Sequence, residues 1–433
     1  MPTAATPAPE APAAARWHQP ARATTAPQVP RLHLPADFTA HPYTHYAAWR
    51  ETAPLLWSDD FFGGAWVLTR HDDVAWALRE PRLSARRTGG WLMRDAADRR
   101  ELRGFQDLLA GALLFRDGAD HTRLRALLQH ALRGPLLQAL RPWLSQRVAH
   151  RLEACDAAGG FDLVAELARP VSAEVIARLL GIDEEPVAGW MPACDELSVF
   201  LGAAQPDAAL TRRAQRAALD LAALFERVVA GRAGRPQRSD LLGALLRGHA
   251  DGRVRGHAEL LAQCAMLLVA GLETTRLLLG NAAHLLLRHP AAWIVLRTDP
   301  GRIPAAVREI LRYEAPVQYS ARRVATDLDL HGQRLRRGDL VIALIGSANR
   351  DPRRHAEPDR FDIARRGTPL LSFGSGAHVC LGAALSLLEA ETLLAGMLAR
   401  WPTLHAQHAQ WLDSTLHRGL RALHVRTAPQ PTS

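Results

Sequence analysis

The sequence predicts a mainly α-helical protein with small β-sheets. Apolar residues recur with helical spacing from about residue 120 to residue 315, and this spacing returns over residues 382–400. Residues 55–70 and 316–346 instead contain short β-prone runs, and in the second region the period shifts toward two. With 433 residues, the chain is long enough to bury a large core without disulfides or structural metal ions.

Both ends of the chain differ in composition from the rest. Residues 1–30 are mostly Ala and Pro and cannot bury enough apolar surface to become ordered, and residues 427–433 are similar. We therefore expect flexible tails at 1–30 and 427–433 and a single domain at 31–426. No apolar run reaches the length of a transmembrane helix, and the prolines near the N-terminus leave no apolar segment for a signal peptide.

Charge and cysteine content exclude several classes of protein. All 53 basic residues are arginines, and the net charge is +9. Because these arginines are scattered rather than gathered in blocks, we expect no nucleic-acid partner. The four cysteines include no pair with CxxC spacing, which predicts a reduced, cytoplasmic protein. We expect it to be a monomer that does not bind membranes.

The β-prone regions and the longest helix can be placed along the chain. Residues 55–57 and 65–69 predict short strands, with Gly63 and Gly64 forming the turn between them. Residues 257–288 predict a long apolar helix, and residues 339–345 predict a buried strand.

The strongest functional signal is a glycine-rich segment from Phe373 to Gly382, here called the Cys loop, which carries Cys380 just before a helix. Backbone N–H groups of the loop and of the helix start can point at the sulfur, which predicts a lowered thiol pKa. The resulting thiolate suits a soft metal ion. A structural cysteine in an ordinary turn is the alternative. A phosphate loop is excluded, because the third glycine of GxGxxG is missing and no Gly-Lys-Ser/Thr follows.

The Cys loop resembles the haem-binding loop of the cytochrome P450 family, FGxGxHxCxG, and matches it completely. The resemblance spans residues 35–425 and implies that family's fold, a triangular prism of helices. Haem b would lie between a long central helix and the helix after the Cys loop. Cys380 would be the axial ligand of the haem iron, and Phe373, Gly374 and Gly382 would shape the loop around the cofactor.

The family's ExxR motif is a weak marker alone, because the chain contains four copies of it. Position along the chain favours Glu309–Arg312, on a helix shortly before the second β-prone region. In the family this pair joins an arginine of a later loop in a buried charge network. The resemblance implies that Arg360, in the segment PDRF, is this third member and that the network supports the Cys loop.

The middle of the long helix contains the segment AGLETT, which places an acid, two threonines and a glycine in an otherwise apolar helix. A kinked helix with back-bonded threonines is one explanation. The segment also resembles the family's oxygen-activating motif, (A/G)GxxT. In that case Thr274 would hold dioxygen or a water, and Glu273 would relay protons. Gly271, which follows Ala270, would leave room for oxygen over the haem.

Four basic side chains are candidates for binding the haem propionates. His121 and Arg125 are four residues apart and lie on one helix face, although a solvated basic face is the usual explanation for such a pair. The resemblance adds His378 of the Cys loop and one arginine of Arg322-Arg323, with position favouring Arg322. The family's common prolines before this histidine are absent, since the segment here is DGAD.

The resemblance implies a soluble bacterial haem-thiolate monooxygenase. It would insert one oxygen atom of O2 into a C–H bond or an alkene, with electrons from NAD(P)H through ferredoxin reductase and ferredoxin. Arg123 and the pair Arg353-Arg354 are candidate contacts for an acidic ferredoxin. Three alternatives remain open: a haem-binding sensor or carrier, a peroxide-driven haem enzyme, and an oxidase that performs phenol coupling or ring formation.

The substrate is the least specified part of the prediction. Family topology suggests a mostly apolar lining and a small to mid-sized apolar molecule, such as one modified in secondary-metabolite biosynthesis. The candidate lining residues are Trp91, Leu92, Phe105, Phe200, Leu201, Leu267, Val317, Gln318, Thr415 and Leu416. Several of these residues could instead pack in the core.

Overall fold

A computed structural model of the chain describes residues 29–87, 102–232, 238–367 and 370–427. It is mainly helical with small sheets, so the predicted fold class is confirmed. The described helices are α1 Pro42–Thr52, α2 His71–Ala77, α3 Arg103–Gly111, α4 Gly118–Ala131, α5 Gly134–Ala158, α6 Arg169–Leu180, α7 Val187–Gly202, α8 Ala208–Arg232, α9 Leu241–Ala250, α10 His257–Arg288, α11 Pro290–Thr298, α12 Ile303–Tyr313, α13 Ile345–Ala348 and α14 Ala383–Arg400.

The described strands form three sheets. Their bounds are β1 Leu55–Ser58, β2 Ala65–Leu68, β3 Leu83–Ser84, β4 Gly160–Asp162, β5 Tyr319–Val324, β6 Leu328–Leu330, β7 Gln333–Leu335, β8 Leu340–Leu344, β9 Leu404–Trp411 and β10 Leu420–Thr427. The first sheet has the order β1-β2-β8-β5-β3, the second β4-β10-β9, and the third pairs β6 with β7. The predicted hairpin of β1 and β2 is antiparallel, with Gly63 and Gly64 at positive φ in its turn.

Strand β8 occupies the middle of the first sheet because all its residues are apolar and buried. It pairs in parallel with β2 and antiparallel with β5. The predicted strand at 339–345 is therefore confirmed, although its last residue, Ile345, already begins α13.

The long helix α10 has the predicted bounds, 257–288, and runs through the core. It packs against α6, α14, α3 and α8. It is long and apolar enough to cross a membrane by length and composition, but 78% of its most apolar window is buried inside the protein. Its apolar surface is therefore satisfied by neighbouring helices.

Helix α14 follows the Cys loop and places that loop against α10. The hydroxyl groups of Thr275 on α10 and Ser386 on α14 are 3.2 Å apart. Since Cys380 lies three residues before α14, this contact brings the Cys loop to the middle of the long helix. The predicted arrangement of these two helices is thereby observed.

The ends of the chain differ from the predicted boundaries where they are described. The backbone of Pro30, placed in the N-terminal tail by composition, accepts a hydrogen bond from the Trp57 N–H at 3.1 Å. Thr427, placed in the C-terminal tail, ends β10 and pairs with Leu404. Residues 1–28 and 428–433 lie outside the described residues. The hairpin of β9 and β10 was not predicted, because its polar strands lack a clear apolar alternation.

Candidate active site

The Cys loop is held by its own backbone. The Cys380 N–H donates to the Phe373 carbonyl at 2.7 Å, and the Gly374 N–H donates to the Leu371 carbonyl at 2.7 Å. Gly374 and Gly376 both have positive φ. A side chain at Gly376 would also approach the Leu78 carbonyl to 2.9 Å, so this glycine allows the loop to lie against the end of α2.

The thiol of Cys380 differs electrostatically from the prediction. Burial among the surrounding atoms raises its pKa, although the Gly382 N–H and the nearby Arg125 act in the opposite direction. The predicted lowering of the thiol pKa is therefore wrong for the free thiol, because desolvation outweighs the loop donors. The side chain nevertheless remains accessible, whereas Cys155, Cys194 and Cys264 are buried. Among the cysteines, Cys380 is thus the one that a ligand can reach.

The middle of α10 presents a short accessible stripe in an otherwise buried helix. Leu267, Ala270 and Thr274 lie along it at helical spacing, and Ala270 is exposed although the residues before it are buried. The Thr274 hydroxyl donates to the Ala270 carbonyl at 3.0 Å. This is the back-bonding predicted as one explanation of the segment, and the helix remains continuous through it.

Gly271 has a different role from the one predicted. A Cβ atom at Gly271 would lie 2.7 Å from Cδ1 of Ile176, so this glycine allows α10 to pack closely against α6. The space that it provides is filled by Ile176, and the prediction that it leaves room over the cofactor is wrong. On the accessible stripe, the small residue is instead Ala270.

Glu273 is buried, and its carboxylate is paired with a neighbouring arginine. Its carboxylate accepts two hydrogen bonds from Arg276, one turn further along α10. Burial would raise the pKa of this carboxyl group, but Arg276, His417 and the Ser198 hydroxyl hold it below its ordinary value. Glu273 is therefore ionised, and a proton relay through it requires the carboxylate to turn away from Arg276.

The two predicted histidines meet at the Cys loop. The rings of His121 on α4 and His378 are 4.1 Å apart between centroids. His121 is buried, its Nε2 has no hydrogen-bond partner among the described residues, and burial lowers its pKa to about 4. An unpartnered buried nitrogen is costly, so its presence indicates a place for a polar ligand group.

The two predicted arginines also lack carboxylate partners in the described part of the chain. Arg322 is buried and donates to the Ser320 hydroxyl at 2.6 Å and to the Ala321 carbonyl at 2.9 Å. Arg125 lies close enough to Cys380 for the two charges to interact. Cations without counter-ions next to an orphaned histidine suit the two carboxylates of a haem, so the residues present fit this cofactor.

The sequence prediction missed Asp117, which organises this group. It immediately precedes α4 and accepts hydrogen bonds from His378 at 3.2 Å, the Ser84 hydroxyl and the Ala85 N–H. Burial works in the opposite direction, but these three donors hold the pKa of Asp117 well below its usual range. The segment DGAD was considered only for the prolines that it lacks, and nothing in the sequence links Asp117 to Ser84.

The predicted ExxR network forms, but Arg365 takes the place that was predicted for Arg360. Glu309 and Arg312 are both buried and make two hydrogen bonds of 2.7 and 2.8 Å. The third member is Arg365, whose Nε lies 3.3 Å from the Glu309 carboxylate. The prediction of Arg360 is wrong, because its side chain is exposed and pairs with Glu357. Arg360 contributes only its carbonyl, which accepts from Arg312 at 3.2 Å.

The predicted substrate residues separate into buried and accessible ones. Phe105 and Phe200 are both 0% exposed and pack edge to face at 5.2 Å, and Gln318 is 2% exposed. The prediction of substrate contact is wrong for these three residues, because their side chains fill the core. Trp91 and Leu92 lie outside the described residues.

The remaining predicted substrate residues are partly accessible, and most of them converge. The Gln318 N–H donates to the Leu416 carbonyl at 2.8 Å, and Val317 forms a β-bridge with His417. The Thr415 hydroxyl lies 3.3 Å from the Gly202 carbonyl, next to Leu201. The chain around 201, 317 and 415–416 therefore meets at one place, while Leu267 lies on the accessible stripe of α10.

The arginines predicted to contact a partner protein are already paired. Arg123 binds Glu259 through both of its terminal nitrogens at 2.9 and 2.8 Å. Arg353 pairs with Glu51, and Arg354 makes two bonds to Asp72. None of the three guanidinium groups is free for a partner without breaking an internal pair.

Comparison with known proteins identifies the family of the chain. The family model described as Cytochrome P450 matches residues 303–419. The biotin biosynthesis cytochrome P450 of Bacillus subtilis is 32% identical over 391 residues, covering 90% of this chain and 96% of that protein. The cytochrome P450 monooxygenase PikC of Streptomyces venezuelae is 34% identical over 402 residues, covering 91% and 92%.

The fold comparison gives the same result. The crystal structure of the myxobacterial cytochrome P450 CYP267B1 in complex with myristic acid matches with a TM-score of 0.83 and 32% identity, covering 92% of this chain and 99% of that chain. The predicted fold is therefore confirmed. Because relatives more than 30% identical match along nearly their whole length, the chain belongs to the cytochrome P450 family of monooxygenases.

Proposed function

We propose that this protein uses haem b to insert one oxygen atom of O2 into a C–H bond or an alkene of a small to mid-sized apolar molecule. The observation that carries this proposal is an accessible Cys380 in a loop whose following helix contacts α10 next to the accessible stripe, through Ser386 and Thr275. The stripe includes Thr274, whose hydroxyl is held against the Ala270 carbonyl.

The chain's own residues suggest how the cofactor would be held. Cys380 would be the axial ligand, and His121, Arg125, Arg322 and His378 would bind the two propionates. The thiolate-bound haem supplies the oxidising chemistry, in which electron donation from sulfur favours cleavage of the O–O bond. Because burial disfavours the free thiolate, the metal ion itself would be what keeps Cys380 deprotonated.

Thr274 and Glu273 would supply protons to the site. The Thr274 hydroxyl can exchange its bond to the Ala270 carbonyl for one to a water in the cavity. Glu273 would turn from Arg276 toward the accessible stripe to pass on a proton, and its low pKa means that it must first take one up. Ser198 on α7 and His417 lie close enough to Glu273 to accompany this change.

A substrate of secondary-metabolite type fits the accessible lining. Leu201, Leu267, Val317 and Leu416 provide apolar surface, and Thr415 provides one hydroxyl group. The related CYP267B1 holds myristic acid, and the Bacillus relative acts in biotin biosynthesis, as their names state. By analogy, we propose that an apolar chain or ring enters along this lining and meets the stripe of α10.

Electrons would come from NAD(P)H through ferredoxin reductase and ferredoxin. The predicted contacts Arg123, Arg353 and Arg354 are paired internally, so a different arginine is required. Arg79 is exposed, has no ion pair in the described part of the chain, and lies against Gly376 of the Cys loop. We therefore propose that Arg79 contacts an acidic ferredoxin.

The first test is the visible spectrum of the dithionite-reduced protein with carbon monoxide. We expect a strongly red-shifted Soret band from the wild-type protein and its loss in Cys380→Ser, because serine cannot provide a thiolate. Cys264→Ser, which changes a buried cysteine elsewhere, is the matched control and should keep the band. A Soret band at the ordinary histidine-ligated position in the wild-type protein would contradict the proposal.

The second test separates oxygen activation from the alternatives. With ferredoxin, reductase and NAD(P)H, we expect Thr274→Ala to convert most of the consumed NADPH into hydrogen peroxide, at least a tenfold loss of coupling, since the donor that directs protons is gone. Turnover driven by added peroxide should be spared. Unchanged coupling would contradict the role of Thr274. Product analysis distinguishes oxygen insertion from phenol coupling, and absence of any turnover would favour a sensor or carrier.

A further inference from the structure

Arg87 is a cation that neither the sequence motifs nor the proposed mechanism uses. It follows β3, and its guanidinium group lies 4.8 Å from the centroid of the Phe115 ring. Its Nη1 is 3.4 Å from the Ala85 carbonyl, which is a long and weak hydrogen bond. Among the described residues, no carboxylate forms an ion pair with Arg87.

The surroundings of Arg87 carry excess positive charge. Burial lowers the pKa of Arg87 to about 9, and the neighbouring Arg322 acts in the same direction. Asp117 and Tyr319 are the nearby groups that favour the charged form. Asp117 is already committed to His378, Ser84 and the Ala85 backbone, so its single charge is shared among many donors.

The geometry places Arg87 with the group around His378, because its Nη1 lies on the carbonyl of Ala85, whose N–H donates to Asp117. A buried guanidinium group such as that of Arg322, repelled by the partly exposed Arg87 nearby, is costly unless a counter-ion completes the group. A carboxylate is the anion whose planar shape matches the donor fork of an arginine. The place of Arg87 is also suited to a ligand, because the buried hydroxyl group of the nearby Tyr319 has no hydrogen-bond partner among the described residues.

We propose that Arg87, together with Arg322, binds a carboxylate group of a ligand. This rests on the proposed function, which places a haem beside Arg322. Two sources can supply the carboxylate: a propionate of the haem or the acid group of a carboxylate-bearing substrate. In both cases Arg87 would be a further basic residue that binds a carboxylate, besides the four candidates that the resemblance gives.

The test compares Arg87→Gln with Arg86→Gln. Arg86 is the adjacent, exposed arginine, so this control removes the same charge one residue away. The first measurement is the rate of haem transfer to excess apomyoglobin. The second is the affinity for tetradecanoic acid and for its methyl ester, measured by calorimetry, which does not depend on the haem spectrum.

If a propionate is bound, Arg87→Gln should lose haem about ten times faster than Arg86→Gln, as expected for a charged hydrogen bond of about 1.5 kcal/mol. If a substrate carboxylate is bound, Arg87→Gln should weaken binding of the acid about tenfold and leave the ester unchanged. Arg87→Lys should fall between Arg87→Gln and the wild-type protein, and it serves as the second variant if Arg87→Gln does not fold.

The proposal is overturned if Arg87→Gln and Arg86→Gln behave alike in both measurements. It is also overturned if the acid and the ester lose affinity equally while haem transfer is unchanged, because the side chain would then act through packing. Failure of the proposed function has a different result: the wild-type protein itself would lack the red-shifted carbon monoxide spectrum, while the comparison of acid with ester would still decide the role of Arg87.

Discussion

Two groups of largely buried charges, one around Glu309 and one around His121, differ in whether their charges are paired. In the first, here called the closed cluster, Arg312 and Arg365 both bind the carboxylate of Glu309. In the second, here called the open cluster, Arg125 and Arg322 have no carboxylate partner among the described residues, and His121 Nε2 has no hydrogen bond.

The number of satisfied guanidinium donors distinguishes a structural arginine from one that binds a ligand. Arg312 uses its donors on Glu309 and on the carbonyl groups of Asn349, Pro358 and Arg360, so nothing remains for a ligand. A charge buried in this way is stable only while its partners remain. The donors of the open cluster are not all satisfied, and under the proposed function the missing partners would be the two propionates of the haem.

The largest effect is expected from breaking the closed cluster. Arg312→Leu leaves the buried Glu309 with the Asp362 N–H at 3.0 Å and the longer contact to Arg365. We expect the protein to lose about 3–5 kcal/mol of unfolding free energy in urea. Arg365→Gln should cost less, about 1–2 kcal/mol, because Arg312 still holds Glu309. Arg360→Gln is the matched control and should change stability by less than about 0.5 kcal/mol, since its ion pair is exposed.

The order of these three variants tests the structure against the sequence prediction. Family resemblance assigned the third place in the network to Arg360, and the structure assigns it to Arg365. If Arg360→Gln were as destabilising as Arg365→Gln, the assignment from the structure would be contradicted. If Arg312→Leu were neutral, the closed cluster would not be a supporting element at all.

For the open cluster we expect substitution to affect haem retention rather than the stability of the haem-free protein. Arg322→Gln should leave the stability of the haem-free protein unchanged or slightly increased, because it removes a desolvated charge that has no counter-ion. The same variant should release haem to apomyoglobin about ten to a hundred times faster, the range of a charged hydrogen bond of about 1.5–3 kcal/mol. Urea unfolding of the haem-free protein and haem transfer measure the two effects separately.

Arg323→Gln is the control for this variant. Arg323 is the next residue on β5, and its guanidinium group binds the Gly338 carbonyl. It should not change haem transfer. A loss of haem-free stability in Arg322→Gln that exceeds 1 kcal/mol would show that Arg322 is structural, and the contrast between the two clusters would then not hold.

Features whose residues lie within one helix or loop could be predicted from the sequence. Contacts that depend on how a loop folds could not. The Cys loop, the long helix and the Glu309–Arg312 pair were identified correctly, because their spacing lies within one element. The partner of Glu309 depends on how residues 357–365 fold, and Glu357 there has a positive φ that no spacing rule indicates.

Tertiary contacts account for the other differences. Asp117, just before α4, and Ser84 of β3 meet only in the folded chain, although 33 residues separate them in the sequence. Gly271 matched the oxygen-binding motif, but only the approach of α6 reveals that Ile176 fills its space. The buried pair of Phe105 and Phe200 was likewise apolar enough for a pocket, and only burial shows that it belongs to the core.

The last prediction concerns a second buried glutamate, whose carboxyl group lacks the partners that Glu309 has. Glu389 on α14 is as buried as Glu309, but its Oε2 has no partner among the described residues, and burial raises its pKa well above the ordinary value. Below about pH 4.3 the carboxyl group is neutral in both the folded and the unfolded chain, so it carries no penalty. As the pH rises, the unfolded chain ionises first, and the folded state loses stability.

Glu389→Gln removes this dependence. We therefore expect the variant to be more stable than the wild-type protein at pH 8, by an amount on the order of 1 kcal/mol for each unit of pKa difference that is removed, and to approach it at pH 4. Urea unfolding across this range measures the difference, with the exposed Glu184→Gln as the control. A constant difference across the range would mean that Glu389 is ionised in the folded protein, and would require a cation near it that the described residues do not provide.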